Sequence, residues 1–175
     1  MIYAYHLVVC LFLILFQTTL STVCGPTCLY DLLVPLVVYL GVYRLPREAL
    51  PVLILGGLAM DGISGGVFGV HLSAYLWMYV GVRWAIQFLH AGNAILLPVL
   101  VTVAIAFKCI VVAFSAVVVA SAPWPVEAVF PVVSGQILWG ALTGPLLMMV
   151  LIRGRKAVDQ AVKTFGAEKD SLGTP

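Results

Sequence analysis

Ala94 to Ala120 is apolar from end to end apart from one charged side chain, Lys108. As a helix rising ~1.5 Å per residue, such a run is long enough to cross a ~30 Å hydrocarbon layer. Five further apolar runs share its character: Met1 to Thr19, Leu32 to Tyr43, Ala49 to Met60, Val70 to Leu89 and Val126 to Ile152. Short turns separate them at Ser21 to Tyr30, Arg44 to Glu48, Asp61 to Gly69, His90 to Asn93 and Ser121 to Pro125. Charged residues make up 9% of the chain and mean hydropathy is +1.14, where soluble domains carry roughly a quarter charged residues. The pattern predicts an all-α integral membrane protein: a six-transmembrane-helix domain over 1–152 and a short cytoplasmic tail over 153–175.

Charge placement orients the predicted bundle. Met1 to Tyr43 holds one charged side chain, Asp31, whereas Arg153 to Asp170 holds eight. Alternating six spans puts Arg44, Arg47, Arg83, Arg153, Arg155 and Lys156 on one side, and the opposite loops contain no Lys or Arg. The positive-inside rule then places both termini in the cytoplasm and the turn after Asp61 outside. A signal peptide over Met1 to Thr19 would need a basic n-region and a small-residue cleavage site, and neither is present. The small net charge of +2 gives no support to nucleic-acid binding. Cys10 and Cys109 lie within apolar runs and read as buried small hydrophobes, while Cys24 and Cys28 flank Gly25-Pro26-Thr27 in an outer loop where a disulfide is permitted. In the tail, Val158, Ala161, Val162 and Phe165 share a helical face, which reads as a short amphipathic extension or as a frayed solvated end.

The stretch from Leu55 to His71 organises the middle of the chain. An apolar run meets a lone carboxylate, Asp61, passes through Gly62, Ser64, Gly65, Gly66 and Gly69, and resumes at His71. The bland account makes Asp61 a helix-end carboxylate that accepts N–H groups from the glycine turn or the next helix, with Ser64 as a cap and the glycines supplying positive φ and close packing. No catalytic constellation accompanies it: nothing supplies oxyanion donors, and Asp61 with His71 makes two metal ligands where structural zinc wants about four. No cofactor is expected. Asp31 is a good N-cap for the second run. Arg83 reads as an anchor that snorkels to the cytoplasmic interface, with Trp84 and Trp124 as interface aromatics.

Lys108 is harder to place. It lies ~21 Å along a straight helix from Ala94, and a lysine at that depth costs roughly 2.5–3.5 kcal/mol on insertion scales. With Asp31, Asp61 and Glu127 assigned to the outer surface and Glu48 to the inner, no acid of the chain matches its depth. Lys108 is therefore expected to face a polar cavity or a partner subunit.

Asp31-Leu32-Leu33 at the opening of the second run, the Arg44 to Glu48 turn, and the spacing of Asp61, Ser64, Gly65 and Gly69 together resemble MreD, the bacterial rod-shape-determining membrane protein family. The likeness covers the six-span layout, and its motif content is concentrated in Asp31 to His71. Tyr30 departs from the proline that many relatives carry before the Asp, and from Ala94 onward only hydropathy agrees. The resemblance implies a non-enzymatic scaffold of the cell-elongation machinery in the bacterial inner membrane, with membrane lipid around it. It implies the transmembrane helix of MreC as closest partner, and MreB, RodA and a class B penicillin-binding protein as further ones. The family is also similar to the substrate-binding subunits of energy-coupling factor transporters. That likeness keeps a second function open, in which an outward pocket near Asp61, Ser64 and His71 binds a vitamin-like molecule.

Overall fold

In the computed structural model, residues 2–24, 31–88, 96–120, 134–140 and 142–154 are described, and all the regular structure among them is helical. The helices are α1 (Ile2–Cys24), α2 (Leu33–Tyr43), α3 (Pro46–Ser64), α4 (Val70–Phe88), α5 (Leu96–Ala120) and a stretch over Ser134–Gly154, α6. Leu97–Ser115 and Ser134–Gly154 are each long and apolar enough to cross a membrane by length and composition. The Cys24–Cys28 pairing, the turns after Leu89 and after Ala120, Glu127, Pro131 and the tail beyond Gly154 lie outside the described residues.

Helix boundaries differ from the sequence reading where a polar residue was mistaken for an end. The predicted stop of the first run at Thr19 is overrun by α1, because Thr18 and Thr19 return their hydroxyls to the Ile14 and Leu15 carbonyls at 2.7 and 2.8 Å. That internal hydrogen bond lets a threonine sit in an apolar helix without a partner elsewhere. The predicted Arg44 to Glu48 turn contracts to Arg44-Leu45, since Pro46 takes the first position of α3, where a missing N–H costs nothing. Asp61, Gly62 and Ser64 fall inside α3, which ends when Gly65 takes a left-handed φ of 63°.

Helix α2 is the centre of the bundle. It packs against α1, α3, α4 and α5, and every residue from Leu33 to Gly41 is buried. A helix apolar on all sides can be covered on all sides, and Val34 and Val38 are each 0% exposed. Around it, α3 and α4 form an antiparallel hairpin through Gly65 to Gly69, α5 packs on α4 and α2, and Gly144 of α6 sits against Val101 of α5.

Large apolar side chains cover the outside as well as the core. Trp77, Ile110, Phe114 and Leu138 are 68%, 66%, 66% and 74% exposed, whereas Asp31, Asp61, His6 and Arg44 are buried. Charge is also sorted by end. Arg44, Arg47 and Arg83 gather where α2 ends, α3 begins and α4 ends, a region termed here the arginine end; Asp61 and His71 stand at the opposite, acidic end.

Close backbone approach sets the α3–α4 contact. A methyl on Gly57 would come within 2.7 Å of the Leu72 Cα, whereas one on Gly62 would meet nothing within 4 Å. Gly57→Ala is therefore expected to destabilise by ~1–3 kcal/mol. Gly62→Ala is expected to be neutral or stabilising by up to ~1 kcal/mol, through helix propensity. Thermal unfolding of the two variants in one detergent measures the difference, and equal transitions would contradict the packing.

Candidate functional site

Two buried carboxylates organise the polar interior, and each is held by a different chemistry. Asp61, on the last turn of α3, points across the glycine turn to the start of α4. Its Oδ1 accepts the His71 backbone N–H at 2.8 Å and the His71 Nδ1–H at 3.1 Å, and its Oδ2 accepts the Leu72 N–H at 3.2 Å. An ionised carboxylate only accepts, so the ring proton lies on Nδ1. The donors belong to the first turn of α4, whose N–H groups have no partner within the helix, and the positive end of the helix dipole favours the anion. Asp61 thus caps α4 from the preceding helix.

The other residues of the turn serve that geometry. Gly65 and Gly69 adopt φ of 63° and 93°, which swing the chain through five residues so that α4 starts beside Asp61. Gly62 is helical and Gly66 is exposed, and neither takes positive φ, which corrects the reading of all the glycines as backbone switches. Ser64 does not cap α4: its hydroxyl turns back to the Asp61 carbonyl at 3.4 Å.

Asp31 is the second carboxylate, and it supplies Lys108 with the acid that the sequence reading placed elsewhere. Lys108 Nζ lies 2.6 Å from Asp31 Oδ2. The same oxygen accepts the Tyr75 hydroxyl, and Oδ1 accepts the Leu33 N–H at 2.9 Å. The capping of α2 by Asp31 is thus combined with an ion pair. Gln17 of α1 takes the neighbouring Leu32 N–H at 3.0 Å. Residues of α1, α4 and α5 therefore converge on the first turn of α2.

The mismatch of depths that left Lys108 unpartnered came from placing Asp31, at the start of α2, at the outer surface. Helix α2 has 11 residues. Counted from the arginine end, Asp31 stands about twelve residues before Tyr43 and Lys108 about twelve after Leu96, each ~18 Å along its helix. The two levels coincide because α2 is short.

The clusters adjoin through one helical turn of α4. The His71 and Tyr75 rings lie edge to face with centroids 6.4 Å apart, so Tyr75 bridges the carboxylate of α3 to that of α2. Tyr75 and Gln17 were missed at the sequence level. The available signal for Tyr75 was its i,i+4 spacing from His71, which puts both on one face; Gln17 is the one carboxamide of the first run.

Chemically, the arrangement compensates charge. Each carboxylate has an N–H or cationic partner at both oxygens, and no hydroxyl or thiol is poised against the His71 ring in the contacts observed. Among the described residues no cluster of three or more His, Cys, Asp or Glu side chains is placed to hold a metal ion. Cys10 and Cys109 are buried free thiols, and the Cys109 thiol donates to Gln136 Oε1 at 3.2 Å, tying α5 to α6.

A third polar junction lies at the arginine end. Tyr79 Oη and Arg83 Nη1 both donate to the Arg44 carbonyl, at 3.3 and 3.1 Å, where α2 has ended and the carbonyl has no helical partner. Arg83, expected to be a free anchor, therefore fastens α4 to the α2–α3 turn. Arg44 Nη1 pairs with Glu48 Oε2 at 3.1 Å.

No protein-family model, curated protein or solved structure matches the chain.

Removing one member of the Asp31–Lys108 pair strands the other. Lys108→Met is expected to cost ~3–5 kcal/mol. Combining it with Asp31→Asn, whose amide oxygen can still accept the Leu33 N–H while its NH2 group donates to the Tyr75 hydroxyl oxygen, is expected to recover part of that, with a coupling of ~0.5–3 kcal/mol. Unfolding in mixed micelles measures the cycle, and strict additivity would refute the pairing. Asp61→Ala, by uncapping α4, is expected to cost ~1–2 kcal/mol and to speed amide exchange in the Val70 to Ser73 turn, which hydrogen-exchange mass spectrometry reads.

Proposed function

We propose that this chain is a multi-pass membrane scaffold of the MreD type, with six crossings of a bacterial inner membrane and both termini in the cytoplasm. In this reading it is non-enzymatic and holds the transmembrane helix of an MreC-like single-span partner within the cell-elongation machinery. The observation that carries it is the apolar exterior: large apolar side chains point outward, while the carboxylates Asp31 and Asp61 are buried and paired inside. An exposed surface of that composition is stable against hydrocarbon and unstable against water. Lys108 is tolerated in such a medium because Asp31, itself held by the Tyr75 hydroxyl, meets it within the fold.

The scaffold reading is favoured over a vitamin-binding subunit by what the polar groups do. A small-molecule pocket presents convergent polar groups to its ligand. Here Asp61 and His71 are occupied by the start of α4 and by each other, and Asp31, Tyr75 and Lys108 are occupied by one another. A place for a partner helix is the apolar groove of about 270 Å³ between α4 and α5, flanked by Trp77 and Trp84. Gly81 lies on its floor with nothing within 4 Å of a built Cβ, so a second backbone can come close there.

Two measurements decide. In a background with Cys24 and Cys28 replaced by Ser, Phe68→Cys is expected to react with an impermeant thiol reagent from outside intact cells and Arg47→Cys only after permeabilisation; the reverse pattern would overturn the topology. Co-expression with a single-span partner is expected to yield a complex that survives purification and that Gly81→Leu reduces by tenfold or more, while Gly62→Ala leaves it intact. Retention of a small molecule with no partner helix would favour the transporter reading instead.

A further inference from the structure

Among the described residues the arginine end carries more cationic charge than ion pairs neutralise. Arg44, Arg47 and Arg83 meet there, and Glu48 is the one carboxylate paired with them. Arg83 spends its observed bond on a neutral carbonyl, so its charge has no anion in the ion pairs among the described residues. Arg44 is 9% exposed, yet its Nε has no hydrogen-bond partner. A buried guanidinium nitrogen left unpaired costs free energy that a docked acceptor would return. The N-terminus of α3 opens at the same place, adding the positive end of a 19-residue helix.

From these observations we infer that the α2–α3 turn and the end of α4 form a binding site for a phosphate ester, with Arg44 and Arg83 as its guanidinium donors and Arg47 at its rim. Guanidinium matches phosphate in shape, since two N–H groups can reach two oxygens of one group. Exposed Leu45 and Tyr43 flank the turn and provide apolar surface beside the charge, the pairing that an anionic phospholipid headgroup and its acyl chains require. The lipid form of the ligand rests on the bilayer reading above; the phosphate chemistry does not.

Native mass spectrometry of the full chain in detergent tests this, using phosphatidylglycerol, phosphatidylcholine and inorganic phosphate as probes. Phosphatidylglycerol is expected to be retained over phosphatidylcholine, and Arg83→Gln or Arg44→Lys to reduce retention by roughly fivefold each. Arg83→Lys, which keeps the charge but not the forked pair of donors, is expected to restore only part of it, and Arg153→Gln, an exposed arginine of α6, to leave it unchanged. Equal retention of the two lipids and no phosphate binding, or equal loss in Arg153→Gln and Arg83→Gln, would overturn the site. Displacement of phosphatidylglycerol by millimolar phosphate, with the same arginine dependence, would support the site and identify soluble phosphate as its source; resistance to displacement would identify the lipid. Recovery of the chain in the soluble fraction would refute the bilayer reading, and the phosphate titration would still decide the site.

Discussion

The contact between Lys108 and Asp31 is the constraint around which the bundle is arranged. An ammonium halfway along an otherwise apolar helix is tolerable only where an anion and further hydrogen bonds replace its water. Supplying that anion fixes several things together. Helix α2 must begin at the level of Lys108, so it is shorter than its neighbours; α4 must present Tyr75 to the same oxygen; and α1 must bring Gln17 to the N–H of Leu32. Because the start of α2 is tied on three sides, the helix is enclosed, and its all-apolar surface follows from that enclosure.

The Asp61 cap repeats the same economy at the other carboxylate. A helix N-terminus carries unsatisfied N–H groups that need acceptors wherever it is removed from water. Asp61 provides two oxygens for them from across the turn, and His71 closes the arrangement. At the arginine end the opposite problem, a carbonyl left over when α2 stops, is met by Tyr79 and Arg83. All three polar junctions thus sit at ends of α2 or α4, and each joins two or more helices. Directional bonds inside and non-directional apolar contact outside together give the bundle its specificity.

Among the described residues the α4–α5 groove and the arginine end are places with capacity left over. One offers apolar area with an open glycine; the other offers cationic charge beyond what the ion pairs among the described residues neutralise. The ligands proposed for them differ, a helix in the first case and a phosphate in the second, and neither proposal involves the internally satisfied carboxylates that drew attention in the sequence.

Much of this was legible in the chain itself. Runs of apolar residues determined helices, the bend at Gly65 to Gly69 and a carboxylate capping from Asp61, because hydropathy, glycine backbone freedom and orphan N–H groups are local properties. Segregation of arginine from the opposite turns was equally visible. What only the tertiary structure decided was which polar groups meet. Asp31 and Lys108 are 77 residues apart, and their encounter depends on how far α2 extends and on which face of α5 turns inward, neither of which a single helix determines. The pairing was invisible while Asp31 was assigned to the outer surface, since depth along one helix acquires meaning only against the ends of another.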